Sequence, residues 1–255
     1  VELGSYAEAL AYSQKTFEAH PSDPLVLRTV ARVFHLNDED EQAERCFTRA
    51  IELEPQNGKN YHDLAIMQHK RYQLAEARKN IMMALEINPN SVRSITSLAI
   101  TMGDFSEHQE SLDYFKKALS LRPDKAKLFG NLCFGLNYHP NLTPEEVFAH
   151  YQQFDEQFCL PYKESWFKFD SLPSLERQIR VGYLSPDFKN HTVARFMQPV
   201  LEKHDRERFS IHAYAELALK DEDEVTALIK QNLDSWTSTY GVSDEDLANK
   251  IREDG

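Results

Sequence analysis

The feature that most constrains the fold is a 34-residue period in the first half of the chain. Small and large apolar residues recur with the period that the prolines set. The prolines are Pro21, Pro55, Pro89 and Pro123, the small series are Ala9, Ala43, Ala77 and Ser111 and then Thr16, Ala50, Ala84 and Ala118, and the large apolar series are Val30, Leu64, Leu98 and Leu132 and then Phe47, Ile81 and Phe115. A fixed period of this length indicates one supersecondary unit that repeats along the chain.

The order of small, large and proline positions is typical of the tetratricopeptide repeat, in which each unit is a pair of antiparallel helices. Small residues let the two helices approach closely, and large residues fill the gap to the next repeat. Each proline follows a second helix, because proline cannot continue a helix. One pair cannot bury its apolar face alone, so we predict an α-solenoid in which neighbouring repeats stack into a superhelix.

The register of the period gives the repeat boundaries. We predict a half repeat at 1–21, full repeats at 22–55, 56–89 and 90–123, and a partial repeat at 124–138. In this register the half repeat is a second helix without its first helix. We therefore expect the chain to be a piece of a longer solenoid.

A helical connection and linker is predicted over 139–177, where the period fails at a proline- and asparagine-rich loop. Thr143 and Glu146 have the spacing of a capping box, which predicts a helix from Pro144 to Gln157. The apolar face of that helix is predicted to be Val147, Phe148, Tyr151 and Phe154. The linker aromatics Tyr162, Trp166, Phe167 and Phe169 are expected to pack, because together they are too apolar to leave in water.

Strand and helix patterns alternate over 178–255, which predicts a parallel sheet. Strands are predicted at 179–184, 209–214 and 235–237, and helices after His191, over 221–233 and after Ser243. The first strand is predicted to be buried. The apolar sides of the first two helices are predicted to contain Val193, Phe196 and Met197, and then Val225, Leu228 and Ile229. In the last helix, Leu247 and Ile251 are predicted to face inward. Because Asp254-Gly255 has the pattern of a turn into a further strand, we expect the domain to be incomplete.

The most specific motif lies between Gln178 and Pro199, where a strand, a polar loop and a helix follow each other. Nine residues match in register the pattern Arg-Val-Gly-Tyr-(Val or Leu)-Ser-x-Asp-Phe-x-x-His. They are Arg180, Val181, Gly182, Tyr183, Leu184, Ser185, Asp187, Phe188 and His191. The pattern resembles the opening of the catalytic region of the O-linked N-acetylglucosamine transferases and the SPINDLY-type enzymes. The preceding segments Leu-Asn-Tyr-His-Pro and Pro-Glu-Glu-Val-Phe are similar to the connection in bacterial members.

The resemblance covers essentially the whole chain, but only the first part of the family's two-lobed GT-B catalytic region. It implies a Rossmann-like α/β domain and an enzyme that transfers a sugar from a nucleotide sugar to Ser or Thr hydroxyls of proteins. UDP-N-acetylglucosamine is the expected donor, and fucose is the SPINDLY alternative. No cofactor or metal is expected, and this chain alone is expected to be inactive without the second lobe. The alternative function is a non-catalytic adaptor whose repeats bind a partner protein.

His191 is the candidate catalytic residue. In the family the histidine of this loop lies beside the sugar donor and is a proposed general base, and an imidazole can take a proton from a hydroxyl. The alternative is a solvated histidine in a loop. Asp187 and Asn190 either order the turn or take a direct part, and we assign no role to Asp254 beyond its turn.

A second candidate site is a polar series that precedes the Val30 series by one residue. It consists of Thr29, Asp63, Ser97 and Asn131. In the family the equivalent position is a ladder of asparagines on the concave face that holds peptide backbones. Only Asn131 matches that residue type, and the other three lack the paired donor and acceptor of an amide. Peptide binding and a merely solvated inner face therefore both remain open.

Composition limits the partners. With 41 acidic and 29 basic residues the net charge is −12, which argues against nucleic acid or an anionic membrane as a partner. The sequence has no apolar run of membrane-spanning length, no signal-peptide pattern and no Cys-x-x-Cys pair. We therefore expect reduced thiols at Cys46, Cys133 and Cys159, no metal site and a cytoplasmic protein. The expected partners are polypeptide and nucleotide sugar.

Overall fold

The computed structural model describes residues 5–37, 39–165 and 177–255. The chain divides into two compact units, Val1–Phe167 and Lys168–Gly255. The first is helical, and the second combines helices with a parallel sheet. The predicted fold class, an α-solenoid followed by the beginning of an α/β domain, is confirmed.

Paired helices build the first unit. They are α1 Ser5–Ala19, α2 Pro24–Leu36, α3 Asp40–Leu53, α4 Gly58–Lys70, α5 Leu74–Ile87, α6 Val92–Asp104, α7 His108–Leu121, α8 Ala126–Leu136 and α9 Pro144–Phe154. Helix α2 packs on α3, α4 on α5 and α6 on α7. Side-chain oxygens of Asp23, Asn57 and Ser91 cap the first helix of each pair by accepting backbone N–H groups. The period of the sequence thus appears in the helix starts as well.

The predicted core positions of the repeats are buried. The small residues Ala43, Ala50, Ala77 and Ala118 have no exposed surface, which allows close contact between helices. The large residues Leu64, Phe47, Ile81 and Phe115 are at most 6% exposed. Leu64 packs in one cluster with residues of α2, α3 and α4, so its side chain joins neighbouring repeats.

The last α-helix described in the first unit, α9, differs from the prediction in its end and in part of its apolar face. The capping box of Thr143 and Glu146 is confirmed, but α9 ends at Phe154 and continues as a π-helical turn over Asp155–Cys159. Val147 and Phe154 pack against the core, whereas Phe148 is 61% exposed. The helix lies against the last repeat through a single narrow row, and Phe148 is beside that row.

The prediction that the linker aromatics pack is wrong for Tyr162, which is 68% exposed. It lies on a short 3-10 segment, Leu160–Ser165. The other three, Trp166, Phe167 and Phe169, lie outside the described residues.

The second unit is a parallel sheet with the strand order β1-β2-β3. Its elements are β1 Ile179–Ser185, α10 Thr192–Lys203, β2 Phe209–Ala215, α11 Glu224–Lys230, β3 Ser235–Ser238 and α12 Asp244–Glu253. In the register Tyr183 faces Ala213, and Ala213 faces Trp236. The predicted parallel sheet and its three strands are confirmed. One face of the sheet forms the core with Phe188, Ala194, Leu201 and Ile229.

Several predictions about which side chains face inward are wrong in this unit. Strand β1 is exposed or half-buried rather than buried, because it is an edge strand of the sheet that the described residues form. On α10 the buried residues are Ala194 and Leu201, and Val193 and Phe196 are 41% and 75% exposed. The large residues that are exposed against prediction are Val193, Phe196, Leu228 and Ile251. A helix touches a small sheet through one row, and an alanine in that row allows the closest approach.

Three further findings concern expectations from composition. Cys46, Cys133 and Cys159 are free thiols, and burial raises the pKa of each. Among the helices within residues 5–37, 39–165 and 177–255, none is long and apolar enough to cross a membrane. The same residues contain no cluster of histidine, cysteine and carboxylate side chains that could hold a metal ion.

Candidate functional site

The loop between β1 and α10 places His191 at the carboxyl end of the sheet. His191 is the N-cap of α10, and its Nδ1 accepts a hydrogen bond from the backbone N–H of Val193 at 3.2 Å. The imidazole remains 45% exposed. The predicted position of His191 at the start of a helix is therefore correct, and its ring is accessible to a substrate.

Asp187 lies on the same side of the ring. Its Oδ2 is 3.6 Å from Nδ1 of His191, which is longer than a hydrogen bond. In the present arrangement Nδ1 caps the helix, so a neutral ring carries its proton on Nε2. If the ring turned Nδ1–H toward Asp187, the lone pair of Nε2 would become free to accept a proton from a hydroxyl, as in a base held by a carboxylate. The loop thus holds an imidazole and its possible orienting group together.

A buried aromatic residue, Phe188, anchors the loop between β1 and α10. Phe188 is 3% exposed and its ring lies 5.6 Å from that of Trp236 on β3. The backbone carbonyl of Phe188 accepts a hydrogen bond from the Thr226 hydroxyl at 2.7 Å. At the start of the loop, the Ser185 hydroxyl accepts the N–H of Asp187 at 3.0 Å. These contacts fix the backbone on either side of Asp187.

A second anchor comes from the start of α11. Asp223 caps that helix and accepts the backbone N–H of Thr226 at 3.0 Å, while its other oxygen accepts the N–H of Asn190 at 2.7 Å. These two hydrogen bonds lower the pKa of Asp223, and the bond from Asn190 has the larger effect. Sequence reasoning missed both Asp223 and Thr226 as parts of the site. The capping spacing of Asp223 and Thr226 is visible in the sequence, but its contact with a loop 33 residues earlier is not.

Asp254 is engaged in the structure by its own neighbours. Its carboxylate accepts hydrogen bonds from Lys250 and from the Tyr214 hydroxyl, and its backbone carbonyl accepts one from Arg180. Both side-chain hydrogen bonds lower the pKa of Asp254, and the bond from Lys250 has the larger effect. Burial and the adjoining Asp254 carboxylate raise the pKa of Tyr214 to about 12. Asp254 therefore ties the end of α12 to β2.

In the first unit, the predicted polar series forms no uniform ladder. Thr29 donates its hydroxyl hydrogen bond to the carbonyl of Leu25 in its own helix at 2.8 Å. Asp63 and Ser97 are linked through His62, whose Nδ1 lies 3.4 Å from Asp63 Oδ1 and whose Nε2 lies 3.0 Å from Ser97 Oγ. Asn131 lines a cavity together with Ser97. The structure therefore brings three of the four residues to one surface, and His62 joins two of them.

Asp63 also belongs to a cluster of charged side chains. Its side chain is 9% exposed, with Arg28 Nε at 3.7 Å and Arg93 Nη2 at 3.6 Å. Burial by itself would raise the pKa of Asp63, but the hydrogen bond with His62 and the charges of His62, Arg32 and Arg93 outweigh it and lower the pKa. A buried carboxylate is stable here because cations surround it.

Two family models match different parts of the chain. Residues 155–255 match the model of glycosyl transferase family 41, and residues 46–79 match that of the tetratricopeptide repeat. The predicted resemblance to O-linked N-acetylglucosamine transferases and SPINDLY-type enzymes is confirmed. The loop with His191 lies inside the matched glycosyl transferase region.

Similar sequences in plants are named probable UDP-N-acetylglucosamine–peptide N-acetylglucosaminyltransferases SPINDLY. The protein of Arabidopsis thaliana is 28% identical over 138 residues, which are 52% of this chain and 15% of that protein. The protein of Oryza sativa is 25% identical over 146 residues, which are 55% of this chain and 15% of that protein. The chain thus spans only a small part of these relatives.

Solved structures agree on the fold. An O-GlcNAc transferase mutant of Thermobaculum terrenum is 21% identical, with a TM-score of 0.74 over 95% of this chain and 45% of that chain. A MamA structure is 13% identical, with a TM-score of 0.55 over 64% of this chain and 93% of that chain.

Proposed function

We propose that the protein containing this chain is a glycosyltransferase that transfers N-acetylglucosamine from UDP-N-acetylglucosamine to Ser or Thr hydroxyls of proteins. The observation that carries the proposal is the position of His191. Its accessible imidazole lies at the carboxyl end of β1, beside Asp187, within the region that matches glycosyl transferase family 41. Ligands of open α/β sheets bind at that end of the strands.

In the proposed reaction, the acceptor hydroxyl oxygen attacks the anomeric carbon of the sugar. A new carbon–oxygen bond forms, the bond from that carbon to the diphosphate oxygen breaks, and UDP leaves with the bonding electrons. His191 receives the hydroxyl proton on Nε2, which requires Nδ1–H to face Asp187. Phe188, Thr226 and Asp223 keep the loop in place during this step, because a misplaced base costs rate.

The repeats present the polypeptide, and Asp63, Ser97 and Asn131 contribute hydrogen-bonding groups on the surface that they share. No metal or cofactor takes part, and the reaction belongs to the cytoplasm, where free thiols stay reduced. Most of the nucleotide is bound by the second catalytic lobe, in this protein or in another chain; this chain spans 45% of the solved transferase chain that it resembles.

Turnover tests the proposal. The whole protein, mixed with UDP-N-acetylglucosamine and a Ser/Thr-containing peptide, is expected to release UDP and to give a peptide heavier by one N-acetylhexosamine. Residues 1–255 alone are expected to release none. Replacement of the donor by GDP-fucose distinguishes the fucosyl alternative. If the whole protein modifies no peptide with either donor but still binds polypeptide, the repeats act as an adaptor and the proposed activity is wrong.

A further inference from the structure

Two neighbouring cavities form a continuous groove along the first helices of the repeats. A cavity of about 170 Å³ is lined by Arg32, Asp63, Lys70 and Arg93, among others. A larger one of about 410 Å³ is lined by Arg93, Lys125 and Lys127. The cavities share Ile66 and Arg93. We call this surface, with Arg32, Lys70, Arg93, Lys125 and Lys127, the basic groove.

The charge of the basic groove is opposite to that of the chain. Its lining carries five cations and one carboxylate, Asp63, whereas the whole chain has a net charge of −12. The acidic residues therefore lie mostly elsewhere. A concave surface lined by one sign of charge attracts ligands of the other sign and speeds their association.

The cations of the basic groove are only partly neutralised by carboxylates of the described residues. Arg93 shares Asp63 with Arg28, and its side chain is 67% exposed. Lys125 contacts only the exposed Asp124, at 3.6 Å, among the described carboxylates. In the part of the chain that the structure describes, Arg32, Lys70 and Lys127 have no carboxylate within 4 Å. A ligand could therefore pair with these groups without displacing an internal partner.

The surface between the cations suits a polypeptide. Ile66, Val92 and Leu128 line the larger cavity beside Ser97 and Asn131. Apolar side chains of a ligand can contact the first three residues, and its backbone can hydrogen-bond with the last two. Helix α4 contacts α2 on one side and α6 on the other, and packed helices are about 8–10 Å apart. An extended chain rises about 3.3 Å per residue, so every third residue of a ligand would meet a cation of the next helix.

We propose that the basic groove binds an extended, acidic segment of the acceptor polypeptide, with acidic residues at about every third position. The inference rests on the proposed function, in which the repeats present a polypeptide, and adds the charge class of that polypeptide. Electrostatic complementarity of this kind selects partners and directs their register.

Binding of labelled peptides to the chain tests this inference by fluorescence anisotropy. The probe is a twelve-residue peptide of serine and valine with glutamate at every third position, and its match has glutamine at those positions. At low salt the glutamate peptide is expected to bind about tenfold more tightly, and the difference should shrink at about 0.5 M salt. Arg93→Gln combined with Lys127→Gln should weaken its binding about tenfold. Asp63→Asn, which removes the carboxylate of the groove, should tighten it several-fold.

A matched control removes the same charge outside the groove. Lys79 and Lys117 are exposed on the second helices α5 and α7 and line neither cavity. Lys79→Gln combined with Lys117→Gln is expected to leave the affinity for the glutamate peptide unchanged. If the control weakens binding as much as the groove variant, net charge and not the groove decides affinity, and the inference is wrong.

The remaining outcomes separate this inference from the proposed function. Equal binding of the glutamate and glutamine peptides overturns the acidic preference and leaves presentation of polypeptide in place. Absence of binding by both peptides contradicts both. If a single-stranded oligonucleotide binds as tightly as the glutamate peptide, the groove is a general polyanion surface and the inference is overturned.

Discussion

Replacement of Thr226 by valine tests whether α11 holds the loop of His191. The Thr226 side chain is 1% exposed. Its hydroxyl donates to the Phe188 carbonyl at 2.7 Å and accepts the N–H of Asp223 at 3.1 Å. Valine has nearly the same shape, so Thr226→Val removes these two hydrogen bonds and leaves the packing of the site almost unchanged.

The expected cost follows from the group that is left behind. The Phe188 carbonyl loses its buried donor, and a buried polar group without a partner costs about 1–3 kcal/mol. With a urea dependence of about 1–3 kcal/mol per molar, the unfolding midpoint of the second unit should fall by roughly 0.5–2 M. In the whole protein, Thr226→Val should also lower kcat, because the loop that carries His191 loses an anchor.

Thr239→Val is the matched control. Thr239 is 4% exposed, and its hydroxyl has no hydrogen-bond partner among the described residues. Removal of an unpaired buried hydroxyl removes a desolvation cost, so this variant should be as stable as the parent or more stable.

Fluorescence of Trp236 reports the transition directly, since its ring contacts that of Phe188. The other tryptophan, Trp166, is replaced by phenylalanine in every protein compared, so that only Trp236 emits. If Thr226→Val and Thr239→Val move the urea midpoint equally, the hydrogen bond from Thr226 does not stabilise the loop, and the proposed anchoring is refuted.

Three further predictions concern the repeats and the candidate base. Leu64→Ala should lower the free energy of unfolding by about 2–5 kcal/mol, because it opens a cavity between repeats, and thermal melting measures this loss. Leu25→Ala, at a position that is 62% exposed, should lower it much less. If the parent and Leu64→Ala melt at the same temperature, Leu64 is not a core residue. In the whole protein, His191→Ala should lower kcat by about 10²–10⁴-fold and change the donor KM little. The pH–rate profile of the variant should lose its acidic limb. If KM for the donor rises while kcat is unchanged, His191 only binds the donor and is not the base. The pKa of Asp63 in the folded protein is below its unfolded value of 3.8, so the Asp63 carboxylate stabilises the fold fully above pH 3.8 and loses this contribution as pH falls through the folded pKa. Between about pH 5 and about pH 2, the urea midpoint of Asp63→Asn should therefore fall less than that of the parent. Parallel curves of midpoint against pH would refute this.

Local patterns predicted much of the candidate site. The strand at 179–184, the turn residues after it and the helical spacing after His191 together place this histidine at a helix start, and the structure has it there. The same reasoning failed for Phe196, which is exposed although its spacing suggested the core. Periodicity shows that a helix is amphipathic, but the row that meets the sheet depends on how closely the two can approach. Ala194 and Leu201 lie in that row and are buried, and Phe196 lies outside it.

The basic groove combines both kinds of information. Arg93 and Lys127 are 34 residues apart, and Lys59, which lies outside the groove, precedes Arg93 by the same period. A search of polar positions at the repeat period could therefore have found a basic series. The sequence could not show that Arg32 and Lys70 join the same surface, or that Asp63 is buried among cations. Those relations depend on how far each helix is rotated when the repeats stack.

By itself, the sequence determined the repeating helix pairs, the capping box of Thr143 and Glu146, the parallel strand–helix alternation and the motif that contains His191. These features depend on neighbours within one or two turns, or on a period that repeats along the chain, and both are visible in one dimension. The tertiary structure alone decided that Asp223 and Thr226 hold the loop of His191, and that His62 connects Asp63 to Ser97. Each of these contacts joins side chains to elements distant in sequence, and only packing of the helices and strands brings them within hydrogen-bond distance.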